Sequence, residues 1–141
     1  FLPEQFRTFP PGGKLGARLT KVAQLMHGPE ALPLVEEVRT MPETLVVMSE
    51  KGFGIAGVTE GGRLVGVISD GDLRRNMDHL MERRAGEVAT RSPRVVAPDL
   101  LAAEALAVMS ENKITALFVT DEGERPVGIL HLHDCLRAGL A

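Results

Sequence analysis

Ser69-Asp70-Gly71-Asp72 follows the apolar residues Val65, Val67 and Ile68 and precedes Arg74 and Arg75. A hydroxyl, two carboxylates and two guanidiniums stand where a buried strand turns into a helix, and two kinds of chemistry suit them. Serine and aspartate cap helices by accepting from free backbone N–H groups, worth about 1 kcal/mol. The same groups suit a ligand rich in hydroxyls and phosphates. A carboxylate accepts from two adjacent hydroxyls, a helix start and a serine hydroxyl donate to phosphate, and Arg74 and Arg75 supply guanidiniums. A second constellation, His131-Leu132-His133-Asp134, lies near the C-terminus. If His131 and His133 alternate along a strand, they share a face beside a carboxylate. Three ligands within four residues seldom give good tetrahedral geometry without distant help, so no metal is expected; His27 and His79 lie elsewhere. Cys135, the single cysteine, is expected to be buried in the last helix.

The two constellations belong to a repeat. "VMSEKGFGIAGVTE" from Val47 matches "VMSENKITALFVTD" from Val108 at an offset of 61. One inserted residue makes the offset 62, and then Arg63 matches Arg125, "VGVIS" matches "VGILH", Asp72 matches Asp134 and Arg75 matches Arg137. One offset held over so many positions marks a tandem duplication. The recurrence of the aspartate shifts the balance from capping towards binding, and the two roles can coexist.

Each copy carries the same elements. A short apolar turn opens it, at Val22–Met26 and around Val88. An extended piece bearing proline follows, "LPLV" or "SPRVVAP". An amphipathic helix comes next, with Pro42 as the expected first helical residue of one and Asp99 as the expected N-cap of the other. Two strands are joined by the glycine-bearing turns "EGG" and "DEGERP". The strands are expected at Ile55–Thr59 and Leu64–Ser69, then at Leu117–Thr120 and Val127–Leu130. Closing helices are expected from Asp70 to about Leu80 and from His133 to about Leu140. Met48 and Met109 fall at matching helix positions and read as core fillers.

The chain has 141 residues, 44% hydrophobic and 25% charged, with a net charge of −3. That is a globular composition with no electrostatic reason to expect nucleic acid. No apolar run approaches the ~20 residues of a membrane span, no signal peptide is legible, and one cysteine suits a reducing cytoplasm. Phe1, Phe6 and Phe9 crowd the first nine residues. They are expected to pack on their own domain as an arm, or on a further domain.

Two strand–helix–strand–strand–helix copies, each ending in Gly66-Val67-Ile68-Ser69-Asp70-Gly71-Asp72 or Gly128-Ile129-Leu130-His131-Leu132-His133-Asp134, resemble a tandem pair of cystathionine β-synthase (CBS) domains. The resemblance implies an α/β fold of two motifs with pseudo-two-fold symmetry, at 20–84 and 85–141. More narrowly, "PPGGKLGARL", "SDGDLRR" and "ILHLHDCLRAGLA" resemble the C-terminal half of D-arabinose 5-phosphate isomerases, in which a sugar isomerase (SIS) domain precedes a CBS pair. Residues 1–19 would then be the linker from that domain. Pro10 stands where that family usually has a histidine, so no catalytic role transfers to this segment.

What the resemblance implies is a non-catalytic regulatory module of an aldose–ketose isomerase serving Kdo and lipopolysaccharide synthesis. Asp72 and Asp134 would accept from ribose hydroxyls, with Ser69, Arg75, His131 and His133 beside them. The base would lie against Leu34–Val35 and Val95–Val96. The regulatory ligand would be CMP-Kdo as feedback signal, or AMP or ATP; a purely structural dimerisation module is the third reading. A homodimer through Leu73, Met77 and Leu80 is expected, with a tetramer in the whole enzyme. The clefts should be unequal, since two imidazoles narrow the second or dedicate it to an acidic group. Asp72→Asn should leave folding little changed, because asparagine caps nearly as well as aspartate.

Overall fold

The computed structural model describes Gly16 and residues 18–140, so the expectations for the phenylalanine-rich segment and Pro10 lie outside the described residues. Strand β1 (Leu34–Glu36) leads through helix α2 (Met41–Lys51) to β2 (Ala56–Glu60) and β3 (Arg63–Ile68), and α3 (Asp70–Arg75) closes the first copy. The second copy runs β5 (Val95–Val96), α5 (Ala102–Asn112), β6 (Ala116–Thr120), β7 (Pro126–His131) and α6 (Leu132–Arg137). Ahead of the copies stand α1 (Val22–Leu25) and, with the short strand β4 (Thr90–Arg91), α4 (Ala85–Val88). One sheet has the order β1-β2-β3-β4 and the other β5-β6-β7. In both, the first pairing is parallel and the hairpin antiparallel. The hairpin register slips at Val58/Thr59 in one and at Val119/Thr120 in the other, so the duplication extends to a bulge.

Local chemistry explains most boundaries. Thr40 caps α2, its Oγ1 accepting from Glu43 N at 3.3 Å while Glu43 Oε1 accepts from Thr40 N at 3.3 Å, with Pro42 in the first turn. Met41, Thr44 and Met48 are its buried stripe; Ala102, Ala105 and Met109 form that of α5. Asp99 is not the α5 N-cap; Leu101 is. Residues 98–102 are held by backbone bonds to the start of α1 and the residues just before it, Val22 N to Leu100 O at 2.8 Å and Ala102 N to Thr20 O at 2.8 Å. The helix therefore starts beyond that pairing. The closing helices are shorter than expected. Asn76 Nδ2 donates to Asp72 O at 2.8 Å and ends α3, and the chain enters a 3-10 turn at Leu80–Glu82. This also takes apart the surface of Leu73, Met77 and Leu80 expected to form the homodimer. Leu80 is 7% exposed and packs in the first core with Leu73 against it, whereas Met77 is 62% exposed.

The opening helices cross over. Val22 of α1 is buried in the second copy's core with Val96, Met109, Leu130 and Cys135. Ala85 and Val88 of α4 are buried in the first copy's core with Val35, Met48 and Ile68. Paired bridges, Lys21 to Leu101 and Thr40 to Arg84, express the pseudo-two-fold relation. Between the sheets, Leu32, Leu64, Ala116, Phe118 and Ile129 form a third cluster.

Both long helices end in a left-handed residue, Gly52 (φ 77°) and, at the repeat offset, Lys113 (φ 56°). Glycine adopts this conformation without the Cβ clash that a lysine bears. Lys113→Gly is therefore expected to raise stability by about 1 kcal/mol, read as a higher urea midpoint; an unchanged or lower midpoint would contradict it.

Candidate functional site

The turn at Ser69–Asp72 opens onto a cleft of about 600 Å³ between the copies. One wall is the start of α3, Ser69 to Arg75. The other comes from the second copy, Asn112 to Ala116, where α5 ends and β6 begins; Thr90, Pro93 and Arg94 of the connecting segment close one side. Ile55, Val67, Ile114 and Phe118 give an apolar floor. Val95–Val96 and Leu34–Val35 do not line it, as Val96 and Val35 point into the two cores. Four cations, Arg74, Arg75, Arg94 and Lys113, face two carboxylates, Asp70 and Asp72. This balance favours an anionic ligand, and Lys113 brings its charge there from the left-handed conformation that its counterpart Gly52 adopts freely.

Asp72 is 4% exposed and its carboxylate is fully engaged. Oδ2 accepts from Ser69 N at 2.9 Å and Ser69 Oγ at 3.1 Å; Oδ1 accepts from Arg75 Nη2 at 2.8 Å and Thr90 Oγ1 at 2.5 Å. Burial alone would raise its pKa, but the hydrogen bonds from Thr90, Ser69 and Arg75 outweigh burial and hold it below its ordinary 3.8. Capping is thus a real role of this residue. Of the groups on Oδ1, Arg75 has a side chain 67% exposed to solvent, so its guanidinium can leave the carboxylate without disturbing buried packing.

Asp134 repeats the arrangement. It is 6% exposed; Oδ2 accepts from His131 N at 2.8 Å, and Oδ1 meets Arg137 Nη2 and His27 Nε2, the latter at 3.0 Å. His27, which the sequence separates by 107 positions, is the counterpart of Thr90. Phe53 joins it, and the rings of His27, Phe53, His131 and His133 form a chain of contacts. Thr90, His27 and Phe53 were not singled out by sequence reasoning. The first two sit in the crossing segments, whose offset of 63 differs from the 61 and 62 that exposed the repeat.

His131 and His133 do not alternate on a strand. β7 ends at His131, which caps α6 by accepting from His133 N on Nδ1 at 3.0 Å. Among the described residues no group of three or more His, Cys, Asp or Glu is arranged to hold a metal ion. Cys135 is buried, and burial, with the Asp134 carboxylate, pushes its thiol up to about 11, unlike a nucleophile.

Burial and the neighbouring His133 lower the His131 pKa from its ordinary 6.5, with His27 and Arg137 adding to the effect and Asp134 opposing it. The folded state therefore binds this proton less readily than the unfolded chain. Its contribution to stability is complete above pH 6.5 and is lost as the pH falls from there through the lower folded value. Denaturation midpoints measured between pH 7.5 and about 5 should fall, and His131→Ser, matching Ser69, should flatten that limb. An equally steep limb in the variant would assign it to other groups.

Two repeats, two sheets and a polar cleft at a strand-to-helix turn define a tandem pair of small α/β motifs. The CBS domain profile matches residues 35–79 and 85–141, and the chain belongs to the CBS domain family as a tandem pair. Among relatives, the arabinose 5-phosphate isomerase KdsD of Pseudomonas aeruginosa is 44% identical over 99% of this chain, and that of Escherichia coli 34% identical over 99%. The chain spans 44% of the length of each. Among solved structures, CBSX2 in complex with AMP matches with a TM-score of 0.76 and 27% identity, over 86% of this chain and 96% of that one. A structure of CBSX2 from Arabidopsis thaliana matches at 0.75 and 26%, over 86% and 94%. The cytosolic domain of the Mg2+ channel MgtE in complex with ATP matches at 0.72 and 25%, over 88% and 52%.

Proposed function

We propose that this chain is the regulatory, non-catalytic CBS pair of an arabinose 5-phosphate isomerase and that its open cleft binds a nucleotide or nucleotide sugar. The observation that carries the reading is the cleft itself: about 600 Å³, with four cations around an apolar floor and a buried aspartate at the helix start. Ser69 and Asp72 hold the ribose, Arg75 takes the phosphate, and Ile114 with Phe118 meets the base. His131, His133 and Asp134 are the corresponding set of the second cleft. The likeness to KdsD supports the parent activity, interconversion of ribulose 5-phosphate and arabinose 5-phosphate by a preceding SIS domain joined through residues 1–19. CBS motifs at 20–84 and 85–141, a cytoplasmic location, a homodimer of CBS pairs and a tetramer in the whole enzyme belong to the same reading.

CMP-Kdo is the proposed ligand because it combines a ribose, a phosphate and a sugar-acid carboxylate, one for each class of group in the cleft. AMP or ATP is the second reading, favoured by the likeness to AMP-bound CBSX2. Calorimetric titration with CMP-Kdo, CMP, AMP and ATP decides. Binding of CMP-Kdo at least tenfold tighter than CMP and AMP is expected, about 1.4 kcal/mol. Tighter AMP or ATP would select the adenine reading, and no heat with any of them would leave a structural dimerisation module.

A further inference from the structure

At four matched positions the second cleft carries a ring where the open one carries none. Where the open one has Ser69, Gly71, Thr90 and Ile114, the other has His131, His133, His27 and Phe53. Every replacement is a ring. The His27 and Phe53 centroids lie 5.0 Å apart, edge to face at 62°; Phe53 and His131 lie 6.4 Å apart, and His131 and His133 4.7 Å. All three separations fall in the range of direct ring contact, about 4.5–7 Å, so no base fits between these rings. The polar side is occupied as well. His27 Nε2 sits 3.0 Å from Asp134 Oδ1, which also meets Arg137, while the other oxygen is held by His131 N at 2.8 Å. In the open cleft the matching donor, Thr90, carries no ring.

We propose that Phe53 and His27 are a built-in plug of the second cleft, standing where a nucleotide would place its base and ribose, so that each chain takes one nucleotide, at Asp72. The inference rests on the nucleotide reading of the open cleft. The duplication supplies two sites and the ring substitutions silence one. The pair then responds to ligand concentration as a single non-cooperative site per chain.

The test titrates the 141-residue chain with AMP and with CMP-Kdo by calorimetry, and follows the histidine ring signals by NMR across pH without any nucleotide. One site per chain is expected in the parent, weakened at least tenfold by Asp72→Asn and changed less than twofold by Asp134→Asn. His27→Thr/Phe53→Ile/His131→Ser, which installs the open cleft's residues at three of these four positions and removes both residues of the plug, should bind two. Two sites in the parent, one site lost with Asp134→Asn, or one site still in the triple variant would overturn the plug. The NMR arm is independent of nucleotide binding. Phe53→Ala should admit water and move the His131 titration up towards 6.5, and an unmoved His131 would overturn the plug even if every nucleotide failed to bind. Failure to bind with a moved His131 would instead overturn the nucleotide reading and leave the ring packing intact.

Discussion

Phe118→Ala is expected to cost about 3–5 kcal/mol of folding free energy, a large share of the ~5–15 kcal/mol that holds a domain together. Phe118 is 1% exposed and sits between the sheets with Leu32, Leu64, Ala116 and Ile129. Its repeat counterpart is Gly57, and the two meet: a Cβ built at Gly57 would fall 2.7 Å from Phe118 Cζ and 2.9 Å from Leu64 Cδ1. The ring of one copy thus fills the hole left by the missing side chain of the other. Removing it leaves a cavity that β-strands on both sides cannot collapse into. The converse change, Gly57→Val, overpacks the same contact and is expected to destabilise by about 1–3 kcal/mol or more. Urea denaturation followed by circular dichroism measures both. A loss under 1 kcal/mol for Phe118→Ala would mean that the sheets do not depend on this contact.

Asp72→Asn is expected to lower stability by about 1–3 kcal/mol, contrary to what capping preference alone suggests. An asparagine presents one acceptor oxygen where the carboxylate presents two, and each Asp72 oxygen has two donors. Whichever way the amide lies, its NH2 faces donors, either Ser69 or Arg75 with Thr90. Nucleotide binding should fall by about 1.5–3 kcal/mol, the loss of a charged acceptor. The acid limb gives a separate check. Because the native carboxyl titrates below 3.8, its contribution is complete above that value and lost as the pH falls through the lower folded value. The parent should therefore lose stability below about pH 4 more steeply than the variant. Thr90→Val removes a single donor and should cost less than Asp72→Asn. If Asp72→Asn matched the parent in both urea midpoint and nucleotide affinity, neither the hydrogen-bond cage nor the ribose role would stand.

Much of this protein was written in its sequence in a form that elementary chemistry reads directly. The duplication at one offset required two like units, and apolar periodicity with its turns gave the four hairpin strands within a residue and the helix starts within two, while both closing helices end earlier than expected. Val58-Thr59 and Val119-Thr120 even carry the same bulge. These features are local, so a single stretch of chain holds the information. The candidate site was legible only in half. Ser69, Asp72, Arg75, His131, His133 and Asp134 stand together because they are neighbours in sequence. Tertiary structure alone decided what faces them. The crossing of α1 and α4 into each other's copies brings Thr90 to Asp72 and His27 to Asp134, across 18 and 107 positions. The same crossing holds residues 98–102 extended and moves the start of α5 past Asp99. Which oxygen of an aspartate is already taken, and which cleft is open, depend on side chains meeting from segments with no shared periodicity, and no pattern along the chain encodes such a meeting.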